Sequence, residues 1–178
     1  MLKGNRGAME DRAATTRLPV PGFTRLGAVY DGHVGEGCAE FAMTHVPHVL
    51  LQTAEFAAGD YSAALVRTLE ETHAQWLRAA PPSDASGSLA TLALLVDEQE
   101  LFVASLGNGQ CVVAGADGVR TLTKDNRPEI PHRGLFGSEQ PSPERMAYRI
   151  KDGDAFVVLA SDGVWDVLSG QKLSLIHI

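Results

Sequence analysis

Apolar and polar stretches alternate along the chain in a pattern that predicts several short strands. Short apolar runs bounded by Gly, Asp or charged residues are typical of buried strands. The short turns between the runs from residue 89 to residue 123 predict consecutive hairpins in an antiparallel sheet. The last run is apolar throughout, which predicts a central strand. The predicted strands are Leu26–Tyr30, Leu89–Val96, Leu101–Leu106, Gln110–Ala114, Val119–Thr123 and Ala155–Ala160.

Two segments have the period of amphipathic helices. From Cys38 to Val46 the apolar residues share one helical face, and Pro47 is expected to end or kink that helix. Asp60 is a candidate cap for a second helix, which Pro81–Asp84 closes. The apolar stripe of this second helix comprises Tyr61, Leu65, Leu69 and Trp76.

The remaining long segment, Thr123–Asp154, is rich in Pro, Gly and charged residues and predicts a loop. Helices in one block of the chain and hairpins in another are typical of an α+β fold with mainly antiparallel sheets.

Composition excludes several classes of protein. The chain has 178 residues, of which 44% are hydrophobic and 21% charged, as expected for one globular domain. A net charge of -7 without a basic block gives no support for nucleic-acid binding. No apolar run approaches the roughly 20 residues of a membrane span, and the first residues lack the apolar region of a signal peptide. We therefore expect neither nucleic acid nor membrane as a partner.

The two cysteines, Cys38 and Cys111, do not have the spacing of a metal site. We expect two buried thiols rather than a disulfide, as in a reducing compartment. This pattern predicts a cytoplasmic or nuclear protein.

Carboxylates recur at the ends of predicted strands. Asp31-Gly32 follows one buried strand and Asp162-Gly163 follows another, and Gly allows both a sharp turn and a close ligand. Glu10 and Asp11 form a further pair, of which a strand would direct only one into a shared site. Each feature has a simpler interpretation, because Asp-Gly is a common turn and a carboxylate pair is often solvated.

As a set, Glu10, Asp31 and Asp162 are hard oxygen ligands that suit Mg²⁺ or Mn²⁺ better than zinc. Two such ions about 3.5–4 Å apart can activate water and neutralise a phosphate. His33 follows Asp31-Gly32, and histidine can donate a proton near neutral pH. Arg6 offers a planar fork of donors to a phosphate. A solvated turn histidine and a surface arginine are the alternatives.

The longer motifs around these residues resemble the PPM family, the type 2C metal-dependent serine/threonine protein phosphatases. The resemblance is carried, in order, by Gly4–Asp11 (GNRGAMED), Val29–Gly35 (VYDGHVG), Ser86–Ala90 (SGSLA), Thr123–Pro128 (TKDNRP) and Leu159–Val167 (LASDGVWDV). It implies an α-β-β-α sandwich of two mainly antiparallel sheets flanked by helices.

The resemblance also implies roles at a site with two Mg²⁺ or Mn²⁺ ions. Asp31 would bridge both ions. Glu10 and the carbonyl of Gly32 would bind one ion, and Asp162 would bind the other. Asp11 would contact the residues that bind the ions and not the ions themselves.

The same resemblance implies that Arg6 holds the substrate phosphate and that His33 protonates the leaving serine or threonine oxygen. A hydroxide between the two ions would attack the phosphorus, with no covalent enzyme intermediate. The expected partners are phosphoprotein substrates, and the expected state is a monomer.

The chain departs from the family pattern in three respects, and its last six residues are unrelated to the pattern before them. Asn108 replaces an Asp that helps to bind a further metal in many members. The segment between Pro128 and Leu159 is shorter than usual and lacks an S-R-x-x-G-D motif. The last metal-binding Asp of the family lies well beyond its L-A-S-D-G motif, and this chain stops before it. Residues 173–178 resemble the translation of a sequencing adapter. We therefore expect residues 1–172 to form a partial catalytic domain with little or no activity by itself.

Two functional hypotheses follow. Retention of Arg6, Glu10, Asp31, His33 and Asp162 favours a protein serine/threonine phosphatase. Asn108 and the shortened segment favour a non-catalytic pseudophosphatase that binds phosphoproteins or regulates a partner. A third interpretation is an unrelated sandwich protein whose Asp-Gly pairs are simply turns.

Overall fold

The computed structural model describes residues 8–124, 134–135 and 143–168. Arg6 and residues 173–178 lie outside this part of the chain, so the structure tests neither the predicted role of Arg6 nor the adapter-like origin of the last six residues. The elements within it are β1 (Arg12–Arg17), β2 (Thr24–His33), α1 (Gly37–Gln52), α2 (Ala54–Ala57), α3 (Tyr61–Ala79), β3 (Gly87–Val96), β4 (Glu100–Leu106), β5 (Gln110–Gly115), β6 (Gly118–Thr121), β7 (Glu144–Arg149), β8 (Asp154–Ala160) and α4 (Asp162–Trp165).

The strands form two antiparallel sheets. The first has the order β1-β2-β3-β4-β7 and the second has the order β6-β5-β8. All strand pairs in both sheets are antiparallel. With helices packed against the first sheet, this arrangement confirms the predicted α+β sandwich.

Two hydrophobic cores hold the layers together. Alternate residues of a strand point to opposite faces, so β3 contributes Leu92 and Leu94 to the core under the helices and Ala93 to the core between the sheets. Leu65 and Leu69 of α3 lie in the first core, as their helical spacing predicts. This double burial explains why β3 is almost continuously apolar.

Pro47 is predicted to end or kink the helix. Helix α1 continues through Pro47 to Gln52, so Pro47 does not end it, and the kink stays a prediction. Its start is fixed from a distance, because the backbone N–H of Cys38 donates to Ser86 Oγ at 2.9 Å. Asp60 caps α3 as predicted, accepting a hydrogen bond from the backbone N–H of Ala63 at 3.0 Å.

The predicted run of consecutive hairpins is wrong at one connection. β4 pairs with β3 in the first sheet, whereas β5 pairs with β6 and β8 in the second. The short connection 107–109 therefore crosses between the sheets instead of forming a hairpin. Sequence alone does not distinguish these outcomes, because both need a tight turn between two apolar strands.

The predicted loop Thr123–Asp154 contains strand β7, and β1 also lacks a counterpart among the predicted strands. Both lie at edges of the first sheet in the described part of the chain and are largely exposed. Edge strands bury little apolar surface, so their sequences, RAATTR and ERMAYR, have a weak apolar pattern.

The ends of two predicted strands also differ from expectation. β2 does not turn at Asp31-Gly32 but continues through His33, which pairs with Gly87. Asp162-Gly163 begins the one-turn helix α4 rather than a turn. Within the described residues β8 pairs only with β5, so a central position for this strand is not confirmed there. Apolar content indicated burial at β8 but not its number of neighbours.

Both cysteines are buried and neither forms a disulfide, as predicted. Cys38 lies in the core under the helices and Cys111 in the core between the sheets. Burial raises the pKa of the Cys111 thiol to about 12. No helix in the described residues is long and apolar enough to span a bilayer.

We predict that Gly107→Ala destabilises the fold more than Gly118→Ala. Both glycines have positive φ, at 110° and 104°, so each substitution has a backbone cost of about 1–2 kcal/mol. A Cβ at Gly107 would lie 2.8 Å from Cβ of Leu89, whereas one at Gly118 meets nothing within 4 Å. Overpacking should therefore add about 1–3 kcal/mol at Gly107 alone. Urea unfolding of the two variants measures the difference in the free energy of unfolding. Equal losses of stability would contradict the tight contact between Gly107 and Leu89 at this connection.

Candidate active site

The end of β2 directs Asp31 and His33 toward the second sheet. Residues 24, 26, 28, 30 and 32 of β2 are buried, and Leu26, Ala28 and Tyr30 among them lie in the core under the helices. The alternate residues face the other way, as shown by Gly27, where an added Cβ would lie 3.7 Å from Leu159 of β8. Alternation therefore places Asp31 and His33 on the inter-sheet face, at the end of the sandwich.

Glu10 lies against the opposite side of the same strand end. A Cβ at Gly32 would overlap the backbone carbonyl oxygen of Glu10, so only glycine permits this approach. The Glu10 side chain turns toward the loop after β2, where Oε1 accepts the backbone N–H of Gly35 at 2.6 Å. Glu10 is thus fixed beside the Asp31–His33 segment by both its backbone and its carboxylate.

Asp11 connects this strand end to the second sheet. Ser161 Oγ, at the end of β8, donates to Asp11 Oδ2 at 2.8 Å. Ser161 immediately precedes Asp162, and the two residues are separated from Asp11 by almost the whole chain. The contact therefore brings the Glu10-Asp11 pair and Asp162 to the same end of the sandwich.

Asn108 is the direct neighbour of Asp162. Its side-chain amide, Nδ2, donates to Asp162 Oδ2 at 2.7 Å, and the residue is 94% buried. Asn108 Oδ1 is also buried and has no hydrogen-bond partner. An unsatisfied buried carbonyl oxygen is costly, and an amide oxygen is one of the ligand types that hard divalent cations accept.

Arg12 anchors the acidic segment from the other side. Its guanidinium forms ion pairs with Glu36 at 2.6 Å and Glu40 at 3.0 Å, at the start of α1. The same side chain donates to the backbone carbonyls of Met9 and Asp11 at 2.9 and 3.0 Å. Hydrogen bonds to Glu36 and then to Glu40 raise the pKa of Arg12 above its ordinary value. Arg12 therefore fixes the backbone on both sides of Glu10.

The oxygen atoms at this end are of the type that a hard divalent cation prefers, but the carboxylates do not point to one common position. Glu10, Asp11 and Asp162 each accept a hydrogen bond from a protein donor. In residues 8–124, 134–135 and 143–168, no group of three or more His, Cys, Asp or Glu side chains could hold a metal ion. The fit rests on the exclusively oxygen ligands at this end and on the orphaned Asn108 Oδ1.

The structure thus brings Glu10, Asp11, Asp31, His33 and Asp162 to one end of the sandwich, while their individual roles stay predictions. Sequence reasoning missed three contacts. The hydroxyl of Ser161, the amide hydrogen of Gly35 and the guanidinium of Arg12 each fix part of this end. Ser161 and Gly35 lay inside recognised motifs, whereas nothing in the sequence pointed to Arg12.

The family model described as protein phosphatase 2C matches residues 8–132 and 138–176, which is most of the chain. The chain belongs to the protein phosphatase 2C family. The predicted resemblance is thereby confirmed, and the family is in general dependent on Mg²⁺ or Mn²⁺.

Curated relatives agree with this assignment. A probable protein phosphatase 1N from Mus musculus is 31% identical over 221 aligned positions, covering 97% of this chain and 53% of the mouse protein. The protein phosphatase 2C homolog 2 of Schizosaccharomyces pombe is 26% identical, covering 84% of this chain and 51% of the yeast protein. The chain spans about half the length of these relatives. The mouse alignment spans 221 positions and this chain has 178 residues, so the alignment contains gaps on the side of this chain.

Solved structures share the fold. The serine-threonine phosphatase 2C of Toxoplasma gondii superposes with a TM-score of 0.79 at 16% identity, covering 96% of this chain and 78% of that one. A Caenorhabditis elegans sex-determining protein gives a TM-score of 0.78 at 21% identity, covering 98% and 53%. At these identities the comparison establishes the architecture of the phosphatase 2C domain.

We predict that Arg12→Ala destabilises the protein by about 1–3 kcal/mol. The substitution removes two backbone hydrogen bonds, each contributing about 0.5–1.5 kcal/mol, and two partly exposed ion pairs of smaller value. Urea unfolding at low salt and in 1 M NaCl separates these contributions, because salt screens the ion pairs. Glu36→Gln with Glu40→Gln is the matched control, since it removes the ion pairs but keeps the bonds to the backbone. If this control loses as much stability as Arg12→Ala, the bonds to Met9 and Asp11 contribute nothing.

Proposed function

We propose that the protein carrying this chain hydrolyses phosphoserine and phosphothreonine esters in phosphoprotein substrates. The observation that supports this most is the joining of separate acidic segments at one end of the sandwich. Ser161 holds Asp11, and Asn108 holds Asp162, beside the strand end that bears Asp31 and His33. Membership of the phosphatase 2C family gives that arrangement its chemical context.

Metal dependence is part of the proposal. Glu10, Asp31, the carbonyl of Gly32 and Asp162 would hold two Mg²⁺ or Mn²⁺ ions, with Asp11 supporting them through Ser161. When bound, such ions neutralise phosphate charge and activate water for hydrolysis. Without cations, carboxylates gathered at one end of a fold repel one another. The hydrogen bonds from Gly35, Ser161 and Asn108 offset part of that repulsion in this structure.

The protein's own side chains would bind and protonate the substrate. His33 lies at the last paired position of β2, where pairing with Gly87 fixes its backbone. A histidine held this way can donate a proton to the serine or threonine oxygen as it leaves. Arg6 would bind the phosphate oxygens through its planar fork of donors. A monomeric state and a cytoplasmic or nuclear location stay predictions from the sequence.

A second candidate function is non-catalytic phosphoprotein binding. It is favoured by the neutral amide of Asn108, which occupies one oxygen of Asp162 at 2.7 Å. A carboxylate that is already hydrogen-bonded to an amide must give up that bond, or share it, to ligate a cation. Saturable binding of a phosphopeptide with no turnover in Mn²⁺ would favour this alternative over hydrolysis.

We predict that the protein hydrolyses p-nitrophenyl phosphate in Mn²⁺ or Mg²⁺ and loses this activity in excess EDTA. Asp31→Asn should remove most of the activity, because it removes a negative charge that would help to hold the cations. Asp117→Asn is the matched control, since Asp117 lies in the exposed turn between β5 and β6. Full turnover in EDTA, or equal effects of the two substitutions, would contradict the proposed metal role.

We predict that His33→Ala reduces hydrolysis of a phosphoserine peptide by about 10²–10⁴-fold, the usual contribution of a general acid. p-Nitrophenyl phosphate should lose much less, because nitrophenolate is a good leaving group that needs little protonation. His48→Ala, on the exposed side of α1, controls for removal of an imidazole. Equal losses on the two substrates would show that His33 does not protonate the leaving group.

A further inference from the structure

Val34, next to His33, combines two features that are unfavourable for folding. Its φ angle is 59°, in the left-handed region that β-branched residues rarely occupy. Its residue surface is 63% exposed, and Val34 belongs to neither hydrophobic core. The side chain therefore strains the backbone without gaining burial within the described part of the chain.

The backbone conformation itself has a structural cause. The chain must turn sharply after β2 to place the N–H of Gly35 at 2.6 Å from Glu10 Oε1. That turn explains a positive φ at position 34, but it does not explain valine, because glycine or asparagine would adopt the same conformation with less strain. The other described non-glycine residues with positive φ are Asp97 and Glu98, which are polar residues of the exposed β3–β4 turn.

The position of Val34 suggests what the side chain contacts. Strained residues that the surrounding structure holds in place are concentrated at functional sites. Val34 directly follows the proposed general acid, in a turn fixed to Glu10. An exposed apolar side chain here is placed to meet the part of a substrate that flanks the reacting phosphate.

We propose that Val34 is a specificity-determining residue that contacts an apolar side chain adjacent to the phosphorylated serine or threonine. The inference rests on the proposed function, because it assumes that phosphopeptides bind at this end of the sandwich. The preferred substrates are phosphopeptides with an aliphatic residue immediately before or after the phosphorylated residue. Removing a buried methylene costs a factor of about four in affinity, so partial loss of the Val34 contact should change affinity by about 3–10-fold.

The test compares peptides that differ only beside the phosphorylated residue. Non-hydrolysable phosphonate analogues carry Leu or the similarly sized Asn at the position before or after it, and fluorescence anisotropy gives their Kd values in Mn²⁺. Turnover of the corresponding phosphothreonine peptides is measured separately. The parent protein is compared with four variants, which are Val34→Ile, Val34→Thr, Val34→Ala and Val34→Gly.

The variants separate the apolar contact from the backbone strain. Thr has the shape and the strain of Val but is polar, so Val34→Thr should lose the preference for Leu by about 3–10-fold while its urea midpoint stays close to that of the parent. Val34→Ile should keep the preference. Val34→Gly should lose the preference and gain stability. Val34→Ala should lie between the parent protein and Val34→Gly in both quantities. Leu77→Ala, which removes a 41% exposed apolar side chain from α3, should leave the preference for Leu unchanged.

Two results would overturn the inference and leave hydrolysis intact. One is turnover with equal affinity for Leu and Asn peptides. The other is turnover together with a preference for Leu that Val34→Thr retains. Conversely, a preference that depends on Val34 without any turnover would support the inference and overturn the proposed hydrolysis. A protein that shows neither turnover nor a preference would contradict both.

Discussion

From Thr24 to His33, each residue of β2 is paired with a residue of β3, and this long antiparallel pairing positions the rest of the structure. The period of two along β2 sends Leu26, Ala28 and Tyr30 into the core under the helices. The same period sends Asp31 and His33 toward the second sheet. A shift of one residue in this register would exchange the two faces, burying the polar side chains under the helices. The hydrophobic core therefore sets the register that presents the polar residues.

Side-chain hydrogen bonds then complete the end of the sandwich, where regular backbone pairing stops. Asp11 is joined to Ser161, Asp162 to Asn108 and Glu10 to Gly35. Each bond supplies a donor to a carboxylate in a region with an excess of negative charge. The orphaned Oδ1 of Asn108 is the one place in this network, among the described residues, where a buried side-chain oxygen lacks a donor. These hydrogen bonds stabilise the end of the sandwich at which we propose that cations bind.

Family membership and function have different support in this protein. The family model covers most of the chain, and the structural neighbours share its two-sheet architecture. However, the same fold can carry different activities, so the function has to be argued from the site. The site in turn depends on residues from four separate parts of the chain, which are 10–12, 31–35, 108 and 161–162. The hydrogen bond from Asn108 to Asp162 and the positive φ of Val34 are features of this site that the shared fold does not specify.

The sequence by itself determined the apolar strands, the two long helices and the motifs that carry the acidic residues. Those features depend on local periodicity and on turn residues, both of which are visible along the chain. Only the tertiary structure decided that the connection 107–109 crosses between the sheets, that β1 and β7 occupy edges and that Arg12 holds the backbone beside Glu10. Exposed edge strands carry little apolar signal, and an arginine that pairs with Glu36 and Glu40 looks like any surface arginine. The strain at Val34 is likewise invisible in the sequence, because a valine has a positive φ only where the surrounding contacts impose it.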